Sequence, residues 1–186
     1  MSLYLTVIIV GTLAVGAFDG LVLSSPSLFS ALDGVFHATL ATVSVISIDG
    51  IFAYVIRRLP AAWFMRAKGV FCASRAERRF YRMIKIHLWK DKVPELGGFT
   101  SFHKDRLCSV SDTEYLERFI LESSYGIAIH ASNAVFGILI AFLPYSEKVN
   151  IWMPIFIINF ILSILPMMIL RYHLPVLVRL SERSKK

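Results

Sequence analysis

The stretch from Ser123 to Ser146 contains no Asp, Glu, Lys or Arg, and neither do residues 1–18. Uncharged runs of that length constrain a fold more than any motif, because a spanning helix needs about 20 mostly apolar residues to cross about 30 Å of hydrocarbon. The composition agrees: the 186 residues are 56% hydrophobic with 14 phenylalanines, and the mean hydropathy is +0.63. One soluble core of this size does not bury that much apolar surface.

Hydropathy predicts four spans, at 3–23, 35–56, 125–143 and 151–170. The expected fold is therefore an all-α membrane protein, a single membrane domain over residues 1–186. The first span lacks a basic leading region and exceeds the length of a signal core, so it is expected to be a retained anchor. Residues 57–112 form the one long connection. Arg57 to Arg106 hold thirteen of the twenty Lys and Arg, and Arg171 to Lys186 hold five more. Cytoplasmic flanks of spanning helices keep such residues, which predicts a multi-pass cell-membrane protein with the long connection and both termini cytoplasmic.

The net charge of +7 raises a nucleic-acid reading. Here the positive charge borders apolar spans, so it is explained by topology and anionic headgroups, and membrane lipids rather than nucleic acid are the expected partners. Cys72 and Cys108 both fall in the cytoplasmic connection, a reducing compartment, and no metal-ligand spacing joins them. Neither a disulfide nor a metal site is expected.

The long connection changes character along its length. Residues 60–72, PAAWFMRAKGVFC, mix aromatics with Arg66 and Lys68 and suit a helix or turn at headgroup depth. Between Arg75 and Trp89, Phe80, Ile84, His87 and Leu88 fall near one stripe while the arginines lie mostly away from it, which predicts a basic amphipathic helix whose arginines act as anchors. Pro94, Gly97 and Gly98 in KVPELGG end that helix in a turn. SDTE at 111–114 predicts a capping box from Ser111 to Glu114, leading a helix that continues into the third span.

Ionisable groups inside spans are expensive and usually face the bundle interior. At 100° per residue along the third span, Glu122, Gly126, His130, Asn133 and Gly137 share one face. Asp49, Glu122, His130 and Arg171 lie in the cytoplasmic half of the spans, while Asn159 and Pro166 interrupt the fourth. With His87, Lys90, Asp91, Glu95, His103 and Lys104 from the connection, they predict a polar pocket at headgroup level. Asp19 and His37 lie toward the opposite surface.

The segments FYRMIKIHLWKDKVPE, LERFILESSYGIAIH and INFILSILPMMILRYHLPVLVRL resemble the glycosyl-4,4'-diaponeurosporenoate acyltransferase family, small membrane enzymes that finish staphyloxanthin-type carotenoids. The resemblance covers roughly residues 79–180 and is strongest at Trp89, Lys90, Lys92, Glu95, Glu122, His130, Asn159, Pro166, Arg171, Tyr172 and Pro175. It implies transfer of a fatty acyl group onto the sugar of a membrane-embedded glycolipid acceptor.

Such a transfer needs a base for a sugar hydroxyl, donors for an oxyanion and positive charge for a phosphorylated carrier. His130, oriented by Glu122, is the preferred base, with His87 as the second candidate. Lys90 and Glu95 are the expected functional residues of the turn. Lys90, Lys92 and Arg171 suit carrier phosphates or the oxyanion, Trp89 stacks on sugar or anchors at the interface, and Asn159 and Asp49 contribute polar groups to the acceptor site. No bound cofactor is expected; an acyl carrier such as acyl-CoA would be a co-substrate, and a homo-oligomer is compatible with these spans. The alternative is a non-catalytic membrane protein that binds an anionic lipid or a partner helix, which leaves the inward Glu122 and His130 without a task.

Overall fold

The computed structural model describes residues 2–24, 26–66, 68–93, 112–143 and 148–185. Every regular element among them is helical: α1 (Ser2–Phe18), α2 (Leu28–Arg58), α3 (Ala61–Arg66), α4 (Lys68–Phe71), α5 (Arg75–Met83), α6 (Ile86–Trp89), α7 (Thr113–Phe136) and α8 (Val149–Ser184). Wider turns carry α1 through Asp19–Leu23, and tighter ones carry α7 through Gly137–Phe142. Among the described residues, four helices are long and apolar enough to cross a membrane: Leu3–Leu23, Leu28–Arg58, Thr113–Phe142 and Val149–Ser184. Phe29 and Phe142 are 82% and 81% exposed, aromatic surface that suits lipid and not water.

Three helices outrun the hydropathy reading. α2 starts at Leu28 because Ser27 Oγ accepts from Ser30 N–H at 3.0 Å, and because Asp33 in its second turn pairs with Lys148. α7 runs unbroken from Thr113 into the third span, as expected, but the capping oxygen seen is Asp112 Oδ1, which accepts from Glu114 N–H at 3.0 Å and Tyr115 N–H at 3.1 Å. Ser111, Pro94, Gly97 and Gly98 lie outside the described residues. α8 passes through Pro166 and Pro175 without interruption. Each proline removes one backbone bond, and burial of Ile169, Leu174 and Leu177 on the packed side outweighs that loss.

The chain divides into two compact units, Met1–Tyr54 with Ser132–Ser163, and Val55–Ala131 with Ile164–Lys186. In the first unit, α1 and α2 approach through glycine. A Cβ on Gly34 would stand 2.2 Å from Gly16 O, and one on Gly20 would stand 2.2 Å from Ser30 O. Small residues at four-residue spacing permit such backbone contact where lipid offers no hydrophobic drive for helix association. Thr12 Oγ1 and Thr42 Oγ1 add an interhelical hydrogen bond of 2.8 Å. Ala38, Ala41, Val45, Ile140, Ile151 and Ile155 form the core of this unit.

In the second unit, Leu116, Phe119, Ile120 and Ile127 of α7 pack with Leu174 and Leu177 of α8. A further cluster joins Ala73, Tyr81, Ile86 and Ile169. Phe64 of α3, expected at the headgroups, is buried against Tyr125 and Phe71, while its neighbour Trp63 is exposed. The single helix expected over 75–89 is two pieces, because Lys85 adopts a left-handed conformation with φ 51°. That break re-aims the chain: Tyr81 and Ile86 are buried, whereas Phe80, His87 and Leu88 of the expected apolar stripe are exposed.

Candidate functional site

In the second unit, α5 is held at its N-terminal end and along one side. Ser74 Oγ accepts from Glu77 N–H at 3.1 Å and Glu77 Oε2 accepts from Ser74 N–H at 2.7 Å, a reciprocal cap. The Glu77 carboxylate also receives a guanidinium fork from α8, Arg171 Nε to Oε1 at 2.8 Å and Nη2 to Oε2 at 2.9 Å. Arg171 Nη1 and Nη2 donate further to Val70 O and Cys72 O, each at 3.3 Å, and Ala73 N–H donates to Arg171 O. One arginine thus fastens the α4–α5 turn to α8. The Arg171 guanidinium foremost, helped by Ser74, holds the Glu77 carboxyl down to about 2, while burial and then the Glu77 charge push the Tyr81 phenol up.

With Glu77 and Tyr81 committed to one side of α5, the opposite side carries Arg75, Arg78, Arg79 and Arg82. Positions i, i+3, i+4 and i+7 share a helix face. Together with Tyr172 and Arg179, themselves seven residues apart on α8, they line a recess of about 520 Å³. Among the described residues none of these five arginines is paired with a carboxylate. The expected anchoring role takes each arginine singly and does not reach the recess. Their spacing on α5 was the available signal, but Arg179, about a hundred residues away in sequence, was not reachable from it.

Glu122 Oε2 accepts from Arg57 Nη1 and Nη2, both at 3.3 Å, Arg57 lies 5.9 Å from the Tyr125 ring centroid, and Tyr125 O–H donates to Leu59 O at 3.3 Å. His130 is half-buried on the same helix. Eight residues of α-helix separate them by ~12 Å of rise, so the expected direct contact that would orient the imidazole is out of reach. His87 is exposed on α6. Trp89 Nε1–H donates to Ile84 O at 2.9 Å and its ring packs against the Ile86 cluster, closing the break at Lys85. Lys90 pairs with the adjacent Asp91 at 2.8 Å, and Lys92 is exposed. Glu95, His103 and Lys104 lie outside the described residues.

Asp49 and Asn159 meet in the first unit. Asn159 Nδ2 donates to Asp49 Oδ1 and to Asn133 O, each at 3.5 Å, the outer limit of a hydrogen bond. Gly137 makes room for that amide, since a Cβ there would stand 2.8 Å from Nδ2. Beside the pair is a recess of about 30 Å³, lined by Tyr4, Thr12, Thr42 and apolar side chains, enough for a water molecule. The shared face predicted on α7 is thus divided: Asn133 and Gly137 serve the Asn159 contact, while Glu122 and His130 belong to the second unit. Among the described residues no group of three His, Cys, Asp or Glu is placed to hold a metal ion.

A family model described as glycosyl-4,4'-diaponeurosporenoate acyltransferase matches residues 60–183, most of the chain. No curated protein and no solved structure matches it.

Proposed function

Because the chain belongs to the glycosyl-4,4'-diaponeurosporenoate acyltransferase family, a membrane acyltransferase family of carotenoid biosynthesis, we propose that it moves a fatty acyl group onto a sugar hydroxyl of a membrane-embedded glycolipid at the cytoplasmic face. The observation that carries this reading is His130. It is a half-buried imidazole on a helix apolar enough to span, within the stretch that matches the family. Apolar spans seldom keep such a group without a task, and an imidazole titrates near neutral pH.

In this reaction the hydroxyl oxygen attacks the acyl carbonyl carbon, a C–O bond forms, and the bond from that carbon to the carrier breaks. His130 takes the hydroxyl proton and returns it to the departing carrier atom. Glu122, fixed by Arg57, acts on His130 through an intermediate group, and Arg171 positions α5 rather than meeting substrate. His87 stays as the second candidate base.

The test follows radiolabelled acyl chains from donor into glycolipid with the full chain in native membranes. His130→Gln keeps hydrogen bonding without useful basicity, and turnover should fall by ~10²–10⁴ with expression unchanged. A larger loss for His87→Gln moves the base to α6. If wild type transfers no acyl group from any donor while still binding glycolipid, the chain is the non-catalytic lipid binder. The face is read by labelling from outside in a background without Cys72 and Cys108: Ser27→Cys should react and Lys92→Cys should not.

A further inference from the structure

We infer that the recess lined by Arg75, Arg78, Arg79, Arg82, Tyr172 and Arg179 binds closely spaced phosphate groups, those of a phosphate-bearing acyl thioester carrier that delivers the acyl chain. This rests on the acyl-transfer reading and names the donor class for it.

Three observations converge on an anion with several charges. First, α5 places four arginines on one face at three- and four-residue spacing. Like charges at that spacing each destabilise a helix by about 0.2–0.5 kcal/mol per pair. Arg75 also stands in the first turn, where the helix dipole disfavours a cation. Nothing in the fold of α5 calls for this arrangement, and an anion in the recess reverses its sign.

Second, the only carboxylate on α5, Glu77, is drawn to the other side of the helix and neutralised by Arg171. It therefore does not compete for the recess. The same fork holds α5 against α8, which brings Arg179 and Tyr172 to complete the wall. Among the described residues the five guanidinium groups keep their donors for a ligand.

Third, the residue type and the shape fit phosphate. A guanidinium presents a planar fork of donors that matches phosphate oxygens two at a time. A recess of about 520 Å³ is within the range of small-molecule sites and holds more than one phosphate. Flat lipid anchoring asks for scattered basic residues whose stems snorkel, not for five arginines around one concavity.

The experiment uses the full chain in nanodiscs of phosphatidylcholine, titrated calorimetrically with coenzyme A, which carries a diphosphate and a phosphomonoester, and with pantetheine, which carries none. Coenzyme A should bind with strong salt dependence, inorganic pyrophosphate should compete, and pantetheine should not bind measurably. The double variant Arg78→Gln/Arg82→Gln should weaken coenzyme A binding by about 10–100-fold or more, whereas Arg78→Lys/Arg82→Lys should recover part of it.

Coenzyme A binding that is absent, or indifferent to the glutamine variants, overturns the inference. So does loss of that binding when phosphatidylglycerol is added to the nanodisc, because the recess is then a headgroup site. The readout is independent of turnover. Coenzyme A binding without any acyl transfer removes the enzymatic reading and leaves the site, while acyl transfer with a donor KM unchanged in the glutamine variants removes the site and leaves the enzyme.

Discussion

Arg171 and Glu77 lie 94 positions apart and meet as a two-point fork, Nε to Oε1 at 2.8 Å and Nη2 to Oε2 at 2.9 Å. A fork fixes orientation as well as distance. Here it sets the rotation of α5, and with it which residues face α8 and which face outward. The pair is part-exposed, with side-chain exposures of 19% and 33%, so its role is placement more than bulk stability.

Arg171→Lys keeps the charge but loses the fork, and a single ammonium cannot also reach Val70 O and Cys72 O. The expected loss is about 1–2 kcal/mol, the lower part of the range for charge-assisted hydrogen bonds. It should appear as a lower unfolding temperature in detergent together with weaker coenzyme A binding, although no recess residue has changed. Unaltered binding in this variant would show that the recess does not depend on the fork.

The fork also has a pH signature. The Glu77 carboxyl is lowered from an ordinary 4.5 to about 2, so the folded state binds this proton less readily than the unfolded chain. Its contribution is therefore present above about 4.5 and is lost as pH falls towards 2. The difference in unfolding temperature between wild type and Glu77→Gln should be constant from neutrality to about 5 and shrink below it. A difference that instead grows on acidification would contradict a lowered carboxyl.

The glycine contact between α1 and α2 makes a third prediction, with an internal control. Gly34→Ala puts a Cβ 2.2 Å from Gly16 O, a backbone atom that cannot step aside. The helices must separate, and folded yield should drop several-fold, as read by size-exclusion profiles in detergent. Gly50→Ala, on the same helix with nothing within 4 Å of the new Cβ, should be neutral or stabilise by about 0.5–1 kcal/mol. Equal behaviour of the two variants would mean that the seam is not a real contact.

Much of the candidate site was hidden from sequence for a definable reason. Lys90 and Arg171 read as suited to carrier phosphates or the oxyanion and Trp89 as a sugar platform or an interfacial anchor; in the fold Trp89 donates to Ile84 O, Lys90 pairs with Asp91, and Arg171 is engaged with Glu77 and two carbonyls. Which partner an ionisable side chain meets depends on elements distant in sequence, and no local pattern carries that. The left-handed Lys85 is similar: neither glycine nor asparagine marks it, and it splits the expected stripe between α5 and α6, with Phe80, His87 and Leu88 all exposed.

What the sequence by itself determined is the solvent. Backbone groups in hydrocarbon must be satisfied within the segment, so the long uncharged runs, of which residues 2–18 and 123–143 are described, favour helices. Hydropathy is additive along the chain, and it placed all four spans, though not their ends. Tertiary structure decided which charges are spent on packing and which remain for a ligand. Glu77 is neutralised by Arg171, Glu122 by Arg57 and Asp33 by Lys148, and α5 is left with an arginine face turned to a recess. Pairing of that kind is a three-dimensional competition among charges for partners, won by distance and orientation, and neither quantity is written in a linear pattern.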